Sequence, residues 1–342
     1  MNITDGTPAL PPRQQIHYVH YKLPHYSVPL LITWSLLTAV VCLVGNYFVL
    51  VGTIQHNAIR LDKLSLVLIK NLAASDIFNT VFVVLPGVGT LYTGRALFQD
   101  NLVVCTLHSY ILFLVPVCNS LMVCALTLNK LLILLNPLKT LSGGEKTGWS
   151  VAVGAWLSGL VPAVLYLIIG ERTIVFDTRT CRCSTTFLRS SKEGLWMMLD
   201  SIFSALIVII PFLIIIVSSA WMLHFLRKKT SLRRQSVGLI LSVSALFLVS
   251  FMPFLVYVIT VNILKPSRAL KYRDNTVAQL VAAATYVNYL NTMSNSILYY
   301  FTSASFKVYV MKTWGRWFGR ARRVQAIEMK TASTGTSTDK GS

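Results

Sequence analysis

The sequence predicts an all-α membrane protein, a bundle of seven transmembrane helices followed by a short amphipathic eighth helix. Three observations predict it. Of the 342 residues, 54% are hydrophobic and only 13% charged, where a soluble domain carries about 25% charged residues. The apolar residues fall into long blocks rather than alternating. Seven such blocks are long enough to cross a hydrocarbon core, which needs about 20 residues.

The first 27 residues are polar, with Pro11, Pro12, His17, His20 and His25, and lack the apolar stretch of a cleavable signal peptide. The first block is therefore expected to act as the targeting signal. Asn2-Ile3-Thr4 is a glycosylation sequon and makes Asn2 the candidate acceptor, which fits an N-terminus outside the cell.

The blocks run Val28–Ile54, Leu64–Leu91, Leu102–Leu135, Trp149–Gly170, Leu195–Leu226, Val237–Leu264 and Val277–Thr302. In lipid a helix satisfies its own backbone groups, so helices are the natural reading. A membrane barrel would show alternating segments of about ten residues instead. After the seventh block, Phe306, Val310, Trp314 and Trp317 mix with Lys307, Lys312 and Arg316. That pattern suits a helix lying in the membrane interface. From Val324 the chain turns to Thr, Ser, Gly and Lys, the composition of a disordered tail. The division expected is thus an extracellular segment over 1–27, a bundle over 28–302, an interfacial helix over 303–323 and a cytoplasmic tail over 324–342.

The formal net charge is +19. In a soluble protein this balance suggests nucleic acid, but here the charges lie between apolar blocks, where they set topology and meet anionic lipid. Membrane lipid is an expected partner and nucleic acid is not. With the N-terminus outside, the larger share of Lys and Arg falls on the cytoplasmic side, including the run Arg227, Lys228, Lys229, Arg233 and Arg234. The six cysteines include no paired CxxC spacing, so no metal site of that kind is expected. No nucleophile–base pair or phosphate loop can be assembled, and an enzyme is not expected.

Motifs inside the blocks sharpen the reading. The first block has Gly45-Asn46, and the second has Asn71-Leu72-Ala73-Ala74-Ser75-Asp76. The third opens with Cys105 and ends with Asn129-Lys130-Leu131, with Pro137-Leu138 beyond. Trp156 and Pro162 stand in the fourth, Pro211 in the fifth, Ser250-Phe251-Met252-Pro253 in the sixth and Asn295-Ser296-Ile297-Leu298-Tyr299 in the seventh. In order and spacing this set resembles the signature positions of rhodopsin-like (class A) G-protein-coupled receptors, over nearly the whole chain. The chain departs from that pattern where the Asp-Arg-Tyr triplet is Asn129-Lys130-Leu131, where Cys-Trp-x-Pro is Ser250-Phe251-Met252-Pro253, where Ser296 replaces a proline, and where Ser219 stands for a tyrosine. The Asn at 129 and the non-proline at 296 resemble melatonin-type and some invertebrate orphan receptors.

The resemblance implies a plasma-membrane receptor that converts binding of an extracellular ligand into activation of a heterotrimeric G protein. It places the ligand among Leu112, Phe113, Pro116, Phe254, Thr285 and Tyr289. Leu112 stands where an aminergic receptor needs an acid, and Tyr289 where an opsin needs its lysine. The outer loops hold more basic than acidic residues and Thr173–Cys183 alternates like a β-hairpin, both of which suit a peptide or an acidic ligand. The resemblance also implies a disulfide from Cys105 to the loop before the fifth block, with Cys183 the favoured partner and Cys181 the alternative. Two other readings are a receptor-shaped scavenger or accessory protein that does not signal, and a channel or transporter.

A switch is expected in the polar core. Asp76 lies mid-span, where a carboxylate costs several kcal/mol unless paired or hydrated. Asn46, Asn119, Asn291 and Asn295 are expected to surround it, with Phe251, Pro253 and Tyr299 as moving parts. The resemblance implies a sodium ion at Asp76; no other cofactor is expected. At the cytoplasmic mouth, Asn129, Lys130 and Leu131 are the expected G-protein contact. Asn129 cannot supply the family's acid. Of the loop acids, neither Asp62 nor Glu145 is placed by motif to replace it. Ligand-free activity is therefore expected, and Asn129→Asp is expected to lower it.

Overall fold

The computed structural model describes residues 17–19, 27–55, 58–59, 61–93, 101–135, 144–169, 173–177, 182–186, 205–228, 234–259 and 275–317. The first span is α1, Ser27–Gln55. The second is built of α2 (Lys63–Asn79), a π-helical segment (Thr80–Val84) and α3 (Leu85–Thr93). The third is α4, Leu102–Leu135, which coincides with the third apolar block. The fourth is α5, Glu145–Ile169. The fifth joins a π-helical segment, Ala205–Ile209, to α6, Ile210–Lys228. The sixth and seventh are α7 (Arg234–Ile259) and α8 (Asn275–Thr302). An amphipathic helix α9, Ala304–Trp317, follows at once.

Local chemistry explains several boundaries. Asp62 caps α2, its carboxylate accepting from the Ser65 N–H, as an N-cap acid does for an exposed first-turn amide. Both π-helical segments stand just before prolines, Pro86 and Pro211. Proline has no N–H and clashes with the preceding turn, so an extra residue in the turn relieves the ladder locally. Pro116 and Pro253 lie inside α4 and α7. Position 296 is serine, and α8 runs for 28 residues through it.

Five helical stretches among the described residues are long and apolar enough to cross a membrane: Val28–Gln55, Lys63–Thr93, Val103–Leu135, Ile210–Arg227 and Ser236–Val256. The remaining two, α5 and α8, are 25 and 28 residues long. Both complete the bundle by packing, α5 against α4 and α2, α8 against α7 and α1. Large apolar side chains such as Leu30, Val40, Val103, Val217 and Phe301 point outward, as expected where the solvent is lipid. The interior is a continuous cluster that includes Leu68, Leu72, Met122, Leu126, Ile215, Ile240, Phe247 and Tyr299.

Small residues set the closest approaches. A Cβ at Gly45 would overlap the Ser296 hydroxyl, and one at Gly159 would lie 2.6 Å from Leu114 Cδ1. These glycines let α1 approach α8 and let α5 approach α4 at backbone distance, the usual device where helices pack in lipid.

The expected hairpin forms: β2 (Thr173–Asp177) pairs antiparallel with β3 (Arg182–Thr186), Phe176 opposite Cys183. A third strand, β1 (His17–Val19), pairs parallel with β2, with His17 opposite Val175. Sequence alone marked this N-terminal segment only as polar. Asn2, the segment 318–342 and the loops at 94–100, 136–143 and 265–274 lie outside the described residues.

Candidate functional site

The polar contacts of the bundle fall at three levels: the disulfide end, the middle and the far end of α4. Cys105, in the first turn of α4, is bonded to Cys183 in β3, with Cα atoms 5.4 Å apart. The Cys183 N–H donates to Nδ1 of buried His108 at 3.3 Å, one turn down α4. The hairpin is thereby pinned to the third span by a covalent bond and a hydrogen bond.

The ligand-side residues lie at different depths. Leu112 and Pro116 are half-buried on α4, and the side chain of Phe113 lies outside the description. Phe254 meets Phe251 edge-on at 5.5 Å. Thr285 and Tyr289 are buried on α8. Tyr289 packs with Ala39 and Val84, which places its ring among the first, second and seventh spans.

Mid-bundle, Asp76 is fully buried. Asn295 Nδ2 donates to its Oδ2 at 3.0 Å and Asn119 Nδ2 to its Oδ1 at 3.2 Å. Ser75 hydrogen-bonds Asn119 Oδ1, so the second, third and seventh spans meet at one carboxylate. Asn46 joins less directly. Its amide donates to Cys42 Sγ at 3.2 Å and to the Thr292 carbonyl at 3.3 Å, and the Cys42 thiol donates to the Asp76 carbonyl at 3.3 Å. Phe251 stacks on Phe247 at 4.6 Å, and Tyr299 is buried beside Phe306.

One member of the expected cluster is placed differently. Asn291 is buried, but no hydrogen bond of its side chain reaches Asp76 among the described residues. It stands one turn from Asn295 on α8, displaced by about 6 Å along the axis. At that level Asn79 and Thr292 meet instead, Asn79 Nδ2 donating to Thr292 Oγ1 at 3.2 Å. Sequence reading passed over both, although each lies three residues from a cluster member on its own helix, a spacing that shares a face.

The sodium ion implied by resemblance can be tested against this donor set. A hard cation needs oxygen ligands. Here each Asp76 oxygen faces an amide N–H, and the Asn119 oxygen faces Ser75. Each Asp76 oxygen keeps a further lone pair beyond its one amide contact, and among the described residues two buried oxygens, Asn46 Oδ1 and Tyr299 OH, have no hydrogen-bond partner.

At the far end of α4 the structure overturns an expectation. Asp62 does reach the altered triplet. Lys130 Nζ lies 3.1 Å from its Oδ1, and Asn129 Nδ2 donates to its Oδ2 at 2.8 Å and to Ser65 Oγ at 3.2 Å. The reason is tertiary: the capped start of α2 packs beside the end of α4, joining residues 68 positions apart. Burial alone would raise the Asp62 pKa; the Lys130 ammonium and the Ser65 hydrogen bonds outweigh it and hold it below the usual 3.8. Leu131 is half-buried beside the core.

Seven spans, a disulfide-pinned hairpin and a buried carboxylate shared by three helices define a multi-pass membrane receptor. The sequence profile described as "7 transmembrane receptor (rhodopsin family)" matches residues 45–299, and the chain belongs to that family. Among similar proteins, cysteinyl leukotriene receptor 1 of Homo sapiens is 26% identical over 69% of this chain and 71% of its own length. The same receptor of Cavia porcellus is 24% identical over 88% of this chain and 89% of its own. These are receptors and not enzymes.

Proposed function

We propose that the chain is a plasma-membrane receptor, N-terminus outside, that turns binding of an extracellular ligand into activation of a heterotrimeric G protein. The observation that supports it best is the Asp76 junction. One buried carboxylate is bonded to α4 and α8 at once, so α8 cannot shift against α2 without re-partnering it. Two discrete packings are what a population-shift receptor needs, because a ligand acts only through its different affinity for each. Membership of the family supports ligand and G protein as partners.

The ligand is open within a class. The basic outer loops support an acidic ligand or a peptide, and the relatives are named for cysteinyl leukotriene. At this identity the name supplies a first compound to test. The altered triplet favours a second reading, a receptor-shaped protein that does not signal. The deciding experiment expresses the full chain with dissociation sensors for each G-protein class. Cysteinyl leukotrienes, other acidic lipids and a peptide library are applied in turn. Sensor dissociation above mock-transfected cells supports the receptor. Confirmed surface expression with no dissociation, basal or stimulated, would leave the non-signalling reading.

A further inference from the structure

One carboxylate collects the polar contacts at the end of α4. Asp62 Oδ1 is bonded by Lys130 Nζ at 3.1 Å and by the Ser65 hydroxyl at 2.9 Å. Its Oδ2 is bonded by the Ser65 N–H at 3.1 Å, the same hydroxyl at 2.9 Å and Asn129 Nδ2 at 2.8 Å. The Lys130 side chain is 7% exposed and that of Asp62 15%. This is not a solvent-screened surface pair, whose contribution is small. Both ions are enclosed, so removing Asp62 leaves the Lys130 ammonium buried and uncompensated.

We propose that Asp62 is the positioning residue for Lys130, holding its ammonium against the start of α2 in the resting packing, and that Asn129 is neutral because the acid of this site is the N-cap of α2. The inference rests on the reading above that this end of the bundle faces a G protein. It accounts for two departures from the family triplet together. An acid at 129 would set its carboxylate against Asp62 at hydrogen-bond distance, where the native amide donates. A lysine at 130 makes one point contact, where an arginine would present a planar fork. Among the described residues Lys130 has that one polar contact to break. Asp62 is not orphaned when it breaks, because the Ser65 N–H, the Ser65 hydroxyl and the Asn129 amide still satisfy it. The release is therefore cheap on the acid's side and reversible.

The test compares wild type, Asp62→Asn, Asp62→Glu, Asn129→Asp, Lys130→Met and the double variant Asp62→Asn/Lys130→Met, all as full chains. Ligand-free G-protein dissociation is normalised to surface expression. Thermal unfolding is measured on the purified chains in lipid nanodiscs. Asp62→Asn keeps a good helix cap and should raise ligand-free signalling by roughly five-fold, at the lower end of typical coupling. Asp62→Glu should rise less, and Asn129→Asp should also rise. In unfolding, the double variant should lose no more than the larger single loss. Where wild type activates a G protein, ligand-free signalling unchanged in Asp62→Asn, or lowered in Asn129→Asp, overturns the proposal; so does a loss of stability with no change in signalling. If wild type and every variant fail to activate any G protein, the receptor reading fails, and the unfolding cycle still judges the pair: additive losses overturn it, non-additive losses sustain it.

Discussion

Asn295 on α8 donates to Asp76 Oδ2 on α2 at 3.0 Å, which fastens the seventh span to the second through a fully buried acid. The neighbouring Asn291, one turn away, does not share that acid. Residues of the same type on the same helix should therefore respond differently to truncation.

Asn295→Ala should lower stability by about 1–3 kcal/mol, the cost of leaving a buried acceptor unpaired. Asn291→Ala should cost less than half as much. Thermal unfolding of the purified chains checks this, and equal losses would show that the carboxylate is not the discriminating partner. Asp76→Asn keeps the size and removes the charge. It should preserve surface expression while changing ligand-free or ligand-driven signalling, read by flow cytometry beside the dissociation sensors.

Cys105→Ala and Cys183→Ala should each reduce surface expression strongly, and the double variant should be no worse than either. The bond spans 78 residues of sequence, and removing such a bridge costs about 2–5 kcal/mol. Cys181→Ala should be tolerated. Non-reducing peptide mapping that recovered Cys105 free, or joined to Cys181, would contradict the pairing.

Gly45→Ala should destabilise the bundle by about 1–3 kcal/mol, the usual cost of overpacking, because the new methyl would overlap the Ser296 side chain. Ser296→Gly should recover part of that loss when the two are combined. A second-site change that recovers nothing would mean that α1 and α8 do not meet at these residues.

The Asp62–Lys130 pair also has a pH signature. The Asp62 pKa in the fold lies below 3.8. Its stabilising contribution is therefore complete above about pH 5, more than one unit above the unfolded value, and lost only as pH falls through the lower folded value. Clamping the cytoplasm anywhere between about pH 6 and 7.5 should leave restraint by this pair unchanged. Ligand-free signalling that climbs on acidification in that window in wild type, but not in Asp62→Asn, would show that Asp62 titrates there.

The spans were legible in the sequence because spanning is decided locally. A run of about 20 apolar residues must be helical in lipid whatever its neighbours do. The third block and α4 share both ends for that reason. Asp76, Cys105, Lys130 and Asn295 were legible as positions because their order and spacing match the family. The side-chain partners were not legible, since they depend on how helices rotate and stack. Rotation sent Asn295 to Asp76 and kept Asn291 off it, and turned Asn46 toward Cys42 and the Thr292 carbonyl. Strand pairing joined His17 to Val175 across more than 150 residues. The largest revision came at Asp62, which sequence marked only as a loop acid before the second block. A carboxylate reaches only a few ångströms, and the packing of α2 against α4 brings Lys130 within that reach. The sequence by itself determined that the chain is a seven-span receptor with an acid missing from its triplet. Only the tertiary structure decided that the acid is supplied from another helix, because long-range contact is a property of packed surfaces and not of local pattern.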